Sequence, residues 1–486
     1  MGGTVSMDYG RTPNTYDMPY GKYVLSEVTV AGGDAANGAT SQKCTFGYED
    51  GNHDRYERTF YGFGKVTTRQ LDTENGDKVY RTVVRRFGNT DFYDEGLLLG
   101  ETVTDAQGAK LNEVAYAYKK TEVAGGSYFP ALEKADRVLY VDGVGMESSE
   151  KYAYDAIGNV TAYRSTAGDE VAVAVSYHDN AKNRRVPKMV RVEGGASRVR
   201  RTEVDVLGNV TRITLENGDA PSVFDLEYDA YGNLSRMVRP SNHKGERMSY
   251  DYTYDSELHS LVTRVTDAFG YVSQTEYDYR WALPTLTRDV NGNEMRYTYD
   301  AFGRPVSLLA PYEADSALSY TVKFEYDTKN RMARTLQYAP EGEIETYAYV
   351  DRLMRPVRGK KTALVQGRGK GFVEDGVPVF DAFGRQTRQY LPAFEGEQPA
   401  GFGETRYDAQ DRVVASVLPD GSTSKMEYAV ESQDGRKVLR VTETDPEGHR
   451  TDLYADLRGR TVKTVRHGPD ADVCVAYLYN PLGELL

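Results

Sequence analysis

Aromatic side chains alternate with other residues in many short stretches of this chain. Examples are Tyr152-Ala-Tyr154, Tyr252-Thr-Tyr254, Tyr297-Thr-Tyr299, Phe324-Glu-Tyr326 and Tyr477-Leu-Tyr479. Successive side chains of a β-strand point to opposite faces, so a period of two places both aromatics of each pair on one face. The pattern therefore predicts many short β-strands and little helix.

A recurring turn motif follows many of these strands. Its consensus is aromatic-Asp-Ala-x-Gly-Asn/Arg, as in Tyr154-Asp-Ala-Ile-Gly-Asn159 and Tyr299-Asp-Ala-Phe-Gly-Arg304. We expect a type I turn followed by a residue at positive φ, which Gly adopts without strain. The Asp carboxylate can accept a hydrogen bond from the backbone N–H two residues on. The predicted structural turn residues are Asp155, Gly158, Asp229, Gly232, Asp300, Gly303, Asp381, Gly384, Asp456 and Gly459.

The spacing of the motif, about two dozen residues, indicates a repeat architecture. One hairpin cannot bury its apolar face alone, so neighbouring hairpins must stack edge to edge, with tyrosines in cross-strand ladders. About 30 strands at ~4.8 Å per strand would span ~140 Å, and a sheet that long must coil or close. We therefore expect an all-β fold: a coiled ribbon of stacked antiparallel hairpins that makes about one turn of a wall.

Composition and charge narrow the possible classes of function. The chain has 486 residues, with 39 Tyr, 47 Gly and a formal net charge of −13, which argues against binding nucleic acid or anionic membranes. Cys44 and Cys474 lie at opposite ends of the chain, so no disulfide scaffold is expected. We find no apolar run near the ~18 residues of a membrane span, and no signal peptide after Met1.

The turn copies resemble the YD repeats of the RHS family over roughly residues 101–486. That family includes bacterial polymorphic toxins, the B and C components of insecticidal Tc toxin complexes, and the teneurins. Two stretches of the first 100 residues, 14–26 and 48–64, are similar to the β-rich segment that follows the β-propeller in Tc B components. Residues 376–385 also resemble that subgroup.

The resemblance implies two regions and a structural role. Residues 1–100 would be the β-rich post-propeller segment, and residues 101–486 a YD-repeat shell that ends before its C-terminal core. Such a shell is hollow and encapsulates a toxic or unfolded cargo polypeptide. The implied partners are the remaining RHS shell, or a C-component half-shell, and its toxin cargo. The parent would be a secreted or cell-surface bacterial protein. Since propeller, protease core and toxin are missing, we interpret the sequence as an internal fragment.

No catalytic constellation stands out, so we expect no enzyme, no cofactor and no metal site. Asp445-Pro-Glu-Gly448 echoes the family's self-cleavage site but is in register with the repeats, which favours a turn over a catalytic role. An alternative function is a cell-surface adhesion or carbohydrate-binding module, since the face of a Tyr ring can stack on a sugar. Surface or turn positions, without metal-ligand spacing, are expected for His53, His178, His243, His259, His449 and His467.

Overall fold

The computed structural model describes residues 2–124, 126–179, 184–194, 197–216, 218, 220–313, 318–365, 367 and 369–486. Within these residues, helix is limited to two short 3-10 segments, Ala35–Asn37 and Pro311–Glu313. Almost all the other regular structure is antiparallel strand. The predicted all-β fold of stacked hairpins is therefore confirmed.

The first twenty strands run from the N-terminus to residue 288. They are β1 Thr4–Arg11, β2 Tyr23–Ala31, β3 Ser41–Asp54, β4 Thr59–Asp72, β5 Lys78–Phe87, β6 Leu98–Asp105, β7 Lys110–Ala124, β8 Ser127–Val141, β9 Val144–Tyr154, β10 Val160–Ser165, β11 Val171–Tyr177, β12 Pro187–Glu193, β13 Arg198–Val204, β14 Val210–Glu216, β15 Ser222–Tyr228, β16 Leu234–Ser241, β17 Arg247–Tyr254, β18 Val262–Asp267, β19 Val272–Asp278 and β20 Leu283–Arg288.

The remaining strands extend to residue 476. They are β21 Glu294–Tyr299, β22 Pro305–Leu309, β23 Val322–Asp327, β24 Met332–Gln337, β25 Ile344–Val350, β26 Pro356–Val365, β27 Gly369–Glu374, β28 Pro378–Phe380, β29 Gln386–Tyr390, β30 Ala393–Phe394, β31 Phe402–Tyr407, β32 Val413–Val417, β33 Thr423–Gln433, β34 Arg436–Thr444, β35 Arg450–Ala455, β36 Thr461–Arg466 and β37 Val473–Ala476.

Each strand from β1 to β26 pairs antiparallel with the next, and β27 pairs with β30, which completes a sheet of 28 strands. A second sheet of nine strands starts at β28 and continues through β29 and β31 to β37. The described residues therefore form 37 strands in two sheets, which is more than the roughly 30 strands expected of the ribbon. Hairpins in the first 100 residues close through other turns, such as the one in which Asp54 accepts the Tyr56 and Glu57 N–H groups.

The sheet is continuous across residue 100, because β5 pairs with β6 and β6 pairs with β7. The division into regions 1–100 and 101–486 stays a prediction. Consecutive antiparallel strands place their turns alternately at two edges of the ribbon. We call the turns that follow odd-numbered strands from β1 to β23 the lower edge. We call the turns that follow even-numbered strands from β2 to β24 the upper edge.

The repeated Asp-Gly turn has one geometry throughout. In the turn at residues 155–159, Asp155 Oδ1 accepts the Ile157 and Asn159 N–H groups at 3.0 and 2.9 Å. Gly158 has a φ of 86°, a conformation that side chains disfavour. Gly232, Gly303, Gly384 and Gly459 also have positive φ, from 75° to 85°. The Asp carboxylate and the Gly together shape the reversal of the chain.

The residue after the turn glycine links one repeat to the next. Where it is Asn, as at Asn233, the amide donates both to Asp229 Oδ2 at 3.0 Å and to the His259 carbonyl of the following lower-edge turn at 2.6 Å. Where it is Arg, as at Arg304, Nε donates to Asp300 Oδ2 at 2.7 Å and the guanidinium lies 4.2 Å from the ring centroid of Tyr326 in the next repeat. At Asn233 and Arg304 the side chain therefore links neighbouring hairpins.

The tyrosine that precedes the turn Asp also hydrogen-bonds to a neighbouring hairpin. Its hydroxyl donates to a backbone carbonyl just after an earlier lower-edge turn, as from Tyr228 to Val210 at 3.0 Å and from Tyr254 to Leu234 at 2.9 Å. Comparable bonds from a tyrosine hydroxyl to a backbone carbonyl of a neighbouring hairpin, at 2.7–3.0 Å, are made by Tyr154, Tyr177, Tyr277, Tyr299, Tyr326, Tyr407 and Tyr428. Ring-on-ring ladders are a smaller feature, seen for example between Tyr152 and Tyr163.

Asn233→Ala is expected to destabilise the protein more than Asn293→Ala. The first change removes a bond within the turn and a bond to the next turn, at about 1 kcal/mol each. Among the described residues, the Asn293 amide donates to Asp289 and to no neighbouring turn. Urea denaturation of both variants measures the difference, and equal losses would contradict the stapling role.

Acid is expected to loosen the lower edge. Burial raises the pKa of the Asp155 carboxyl, but the hydrogen bonds from Asn159 and Ile157 outweigh it, so that this pKa lies below its ordinary 3.8. The pKa values of Asp229 and Asp300 are lowered in the same way. A carboxyl whose pKa falls on folding stabilises the protein above its unfolded pKa, and this stability is lost as the pH falls through the folded pKa.

The free energy of unfolding should therefore stay level from neutral pH to about pH 5 and fall below about pH 4. Urea titrations at a series of pH values measure it. A free energy of unfolding that rises on acidification from pH 4 to pH 2 would contradict the assignment of ionised turn carboxylates.

Candidate functional site: the seam between two layers of the ribbon

The ribbon returns to its own beginning and continues on top of it. Tyr80 contacts Asp408, 328 positions later in the sequence, and Arg458 contacts Ala167, 291 positions earlier. We call residues 351–484 the second layer, and the contacts between this layer and the upper edge of residues 2–198 the seam. One turn of the ribbon is thus complete near residue 350, which is earlier than the predicted single turn for the whole chain.

The seam begins at the turn after β25, where the Arg352 N–H donates to the Gly32 carbonyl at 3.2 Å, and it continues where β28 meets the loop between β2 and β3. Gly38 forms an isolated parallel bridge with Phe380, and the Ala39 N–H donates to the Phe380 carbonyl at 2.9 Å. The buried Asn37 amide donates to the Val357 and Pro378 carbonyls at 3.3 and 2.8 Å. The break between the two sheets therefore lies within the seam, next to the contact of β28 with the first layer.

A turn of the second layer then seats on an aromatic of the upper edge. Phe383 stacks on Tyr80 with ring centroids 3.9 Å apart, and Arg385 Nη1 donates to the Tyr80 hydroxyl at 2.8 Å. Burial raises the pKa of the Tyr80 hydroxyl, against a smaller lowering by the guanidinium. That hydroxyl donates in turn to the Asp408 carbonyl at 2.8 Å. The polar groups beside the aromatic stack, the Tyr80 hydroxyl and the Arg385 guanidinium, therefore both have hydrogen-bond partners.

The next turn of the second layer binds backbone carbonyls. Gln410 Nε2 lies 3.2 Å from both the Leu111 and the Tyr140 carbonyl oxygens, at two successive turns of the upper edge. Beside it, Arg81 Nη2 forms an ion pair with Asp411 Oδ2 at 2.8 Å. One side chain at a turn tip therefore spans two hairpins of the first layer.

Charged groups hold the middle of the seam. Arg458 donates through Nε to the Ala167 carbonyl and through Nη2 to the Asp169 carbonyl, both at 2.6 Å. The Asp169 carboxylate accepts from Arg436 and from Arg460, the latter at 3.0 Å. Burial raises the pKa of Asp169, but these two guanidinium groups outweigh it and hold the pKa below its ordinary value. The seam therefore combines apolar stacking with paired charges.

The seam ends near the last described residues. Arg198 forms an ion pair with Glu484, and Gly194 lies against Pro481. Second-layer turns contact the first layer in order along the chain. Those centred on residues 351, 381, 408, 434 and 456 meet upper-edge turns near residues 32, 74, 108, 143 and 167. The order of contacts along the second layer therefore follows the order of the upper-edge turns in the first layer.

The predicted turn residues divide between two environments. Asp155, Gly158, Asp229, Gly232, Asp300 and Gly303 lie on the lower edge of the first layer, whereas Asp381, Gly384, Asp456 and Gly459 lie in turns that face the first layer. The partners Tyr80, Asp169, Gln410 and Arg458 were not predicted from the sequence. Most repeats carry an apolar side chain at the turn tip, whereas Gln410 and Arg458 are polar. This difference could have marked the two residues as contact residues.

The other candidates from the sequence occupy structural positions. Asp445 Oδ1 accepts the Glu447 and His449 N–H groups at 2.9 and 2.8 Å, and Gly448 has a φ of 88°, which is the geometry of the repeat turn. Burial raises the pKa of Asp452, but hydrogen bonds from His467, Thr442 and Arg450 outweigh it and lower that pKa to about 2.

Within the described ranges, no three metal-ligating side chains cluster. Over the same ranges, no helix is long and apolar enough to span a bilayer.

The stacked-layer architecture is that of solved Tc toxin structures. The TcdB2–TccC3 crystal structure superimposes with a TM-score of 0.78 at 12% identity, covering 100% of this chain and 36% of that one. The chain has the fold of the Tc toxin shell. The TcdB2–TccC3–Cdc42 crystal structure gives a TM-score of 0.77, and the Photorhabdus luminescens Tc holotoxin pore with a TccC3 variant gives 0.76. Both share 11% identity and cover 100% of this chain and 38% of theirs.

A sequence family described as the insecticide toxin TcdB middle/N-terminal region matches residues 1–88. No curated protein matches the chain. The resemblance to Tc toxin B components is thus confirmed, through the family match at the N-terminus and through the fold over the whole length. The chain spans little more than a third of the length of the solved chains that it matches.

Proposed function

We propose that this chain is a section of the wall of a Tc toxin shell, and that the wall encloses a cargo polypeptide. The observation that carries the proposal is the seam. A ribbon that winds back and lies against its own edge joins successive layers into one wall. The Tc shell fold and the family match of residues 1–88 support the same reading.

The proposed role is structural and includes no catalytic step. The turn carboxylates, arginines and tyrosines are engaged in stapling hairpins and layers, which accounts for the residues that the repeats have in common. The proposed partners are the rest of the shell and a C component such as TccC3, since TccC3 is named in the matched structures. We also propose that the parent is secreted and contributes to virulence as part of the toxin.

The experiment is a protease-protection assay on the parent protein assembled with its C component. We expect an unfolded cargo segment of the C component to survive protease while the shell is intact, and to be cut when Arg458→Met opens the seam. Arg280→Met is the matched control, because Arg280 occupies the same turn position but its guanidinium is exposed and pairs with Asp278 of its own turn.

Cargo that is degraded in the intact assembly would contradict encapsulation. Binding of the chain to a glycan array, with no protection of the cargo, would favour the adhesion or carbohydrate-binding alternative. Hydrolysis of a substrate by the purified chain, lost on substitution of one carboxylate, would contradict the structural role.

A further inference from the structure

Four of the second-layer turns in the seam share one hydrogen-bonded form. They are residues 351–355, 381–385, 408–412 and 456–460. In each turn the Asp Oδ1 accepts the N–H groups of the third and fifth residues at 2.8–3.0 Å, and the Arg in fifth place donates from Nε to Asp Oδ2 at 2.7 Å. The fourth residue has a φ between 64° and 81° in all of them. The backbone of these turns therefore does not distinguish one from another.

The third residue, at the tip of the turn, belongs to a different chemical class in each copy. The tips are an aliphatic, an aromatic, an amide and a guanidinium side chain, namely Leu353, Phe383, Gln410 and Arg458. This is the position that the consensus of the repeat leaves open. The turn geometry does not require these four side chains, so their identity can serve the contact between the layers.

The two apolar tips meet apolar positions of the first layer. Leu353 lies beside Gly32, where an added Cβ would be 3.6 Å from the leucine Cδ2. Phe383 stacks on the Tyr80 ring with centroids 3.9 Å apart, and its neighbour Ala382 is 2% exposed. An aliphatic tip thus faces a residue without a side chain, and an aromatic tip faces a ring.

The two polar tips meet backbone carbonyls. The Gln410 amide nitrogen lies 3.2 Å from the Leu111 and the Tyr140 carbonyl oxygens. Arg458 donates from two of its nitrogens to two carbonyls of the turn at residues 167–169, both at 2.6 Å. Donors are thus placed where acceptors are available, and each tip matches its own partner in the first layer.

We propose that these four tip residues are the specificity determinants of the seam. Each one favours its own first-layer turn over the neighbouring turns, and together they fix which turns meet. The accumulated twist of the strands brings the ribbon back over its beginning, and the tips then select one register among those close to it. All the partners lie within this chain, and the inference does not depend on the encapsulation of cargo.

A second layer shifted by one repeat would keep the turn geometry and lose the matches. Gln410 would then face the Tyr80 ring, which offers its amide no pair of carbonyls. Phe383 would reach Gly32 and find no ring to stack on. A polar group that loses its partner on burial is costly, and specificity is the difference between the correct and the wrong pairing. The mismatches therefore contribute to selection as much as the matches do.

The test exchanges two tips without changing the composition of the chain. The exchanged variant carries Phe383→Gln with Gln410→Phe, and the truncated variant carries Phe383→Ala with Gln410→Ala. The matched control is Phe302→Asn with Asn291→Phe. Both residues of the control are exposed in this chain and occupy the tip position of repeat turns outside the seam.

Hydrogen exchange at the Ala39 amide measures the opening of the seam, because this amide donates to the Phe380 carbonyl beside the first of the two turns. We expect exchange in the exchanged variant to be about tenfold faster than in wild type or more, and at least as fast as in the truncated variant. The control should stay within about twofold of wild type, as for surface substitutions.

An exchanged variant that protects the Ala39 amide better than the truncated variant would overturn the proposal, because the tips would then contribute to the contact without selecting a partner. Equal acceleration in the control would overturn it as well. Far-UV circular dichroism verifies that each variant is folded. If the exchanged variant does not fold, the single changes Phe383→Gln and Gln410→Phe, each against the alanine change at the same position, give the same comparison.

Discussion

Gly38→Ala is expected to lower the free energy of unfolding by about 2–3 kcal/mol more than Gly62→Ala. The two glycines have nearly the same φ, 91° and 90°, so the backbone strain of adding a Cβ is shared. A Cβ at Gly38 would lie 2.2 Å from the carbonyl oxygen of Phe380, across the seam, whereas a Cβ at Gly62 meets nothing within 4 Å. The difference therefore isolates the contact between layers.

Chemical denaturation of the two variants against wild type measures this difference. The parallel bridge between Gly38 and Phe380 must open to admit the methyl group, so hydrogen exchange at the Ala39 amide should accelerate in Gly38→Ala and not in Gly62→Ala. Similar losses of stability in both variants would mean that the layers do not touch at Gly38.

Arg458→Met is expected to cost about 3 kcal/mol, because hydrogen bonds to a charged group contribute about 1.5–3 kcal/mol each and do not add fully. Arg458 donates to the Ala167 and Asp169 carbonyls in the first layer and to Pro481 in its own layer. Met keeps much of the length of the side chain and loses every donor. The carbonyls of the seam would be left without these partners.

Arg280→Met is the control for this change, with an expected loss of less than about 0.5 kcal/mol, as for an exposed ion pair. Denaturant unfolding and limited proteolysis of the two variants give the comparison. We expect Arg458→Met to expose the second layer to cleavage first. Equal effects in both variants would show that the guanidinium of Arg458 does not hold the layers together.

The hairpins could be predicted from the sequence because their causes are local. Alternation of aromatics with a period of two, and an Asp and a Gly three residues apart, act within one strand and one turn. The side-chain contacts that link neighbouring hairpins were harder to predict from the sequence. The excess of Tyr over Phe was visible, but cross-strand ladders explained it less well than the hydroxyl bonds from residues such as Tyr228 and Tyr254 to backbone carbonyls.

The seam could not be predicted, because the residues that meet in it are far apart in the sequence and many of the contacts are made to backbone carbonyls. Gln410 and Arg458 bind backbone carbonyls, and every residue has one. Phe302 and Phe383 occupy identical turns, yet one is exposed and one is stacked on Tyr80. Which turn is covered depends on how many residues the ribbon needs for one revolution, and that is set by the accumulated twist of many strands and not by any motif.

The most direct test of the account is to cross-link the two layers. A Cβ at Gly194 would lie 2.5 Å from the Pro481 Cβ, although the two residues are far apart in the sequence. With Cys44 and Cys474 changed to Ser, the pair Gly194→Cys and Pro481→Cys should form a disulfide or accept a short bifunctional maleimide within one molecule. The pair Gly245→Cys and Pro481→Cys should not, since Gly245 lies on the uncovered upper edge. Efficient cross-linking of the first pair alone is the predicted result, and equal or absent cross-linking of both would contradict a ribbon that winds back onto itself.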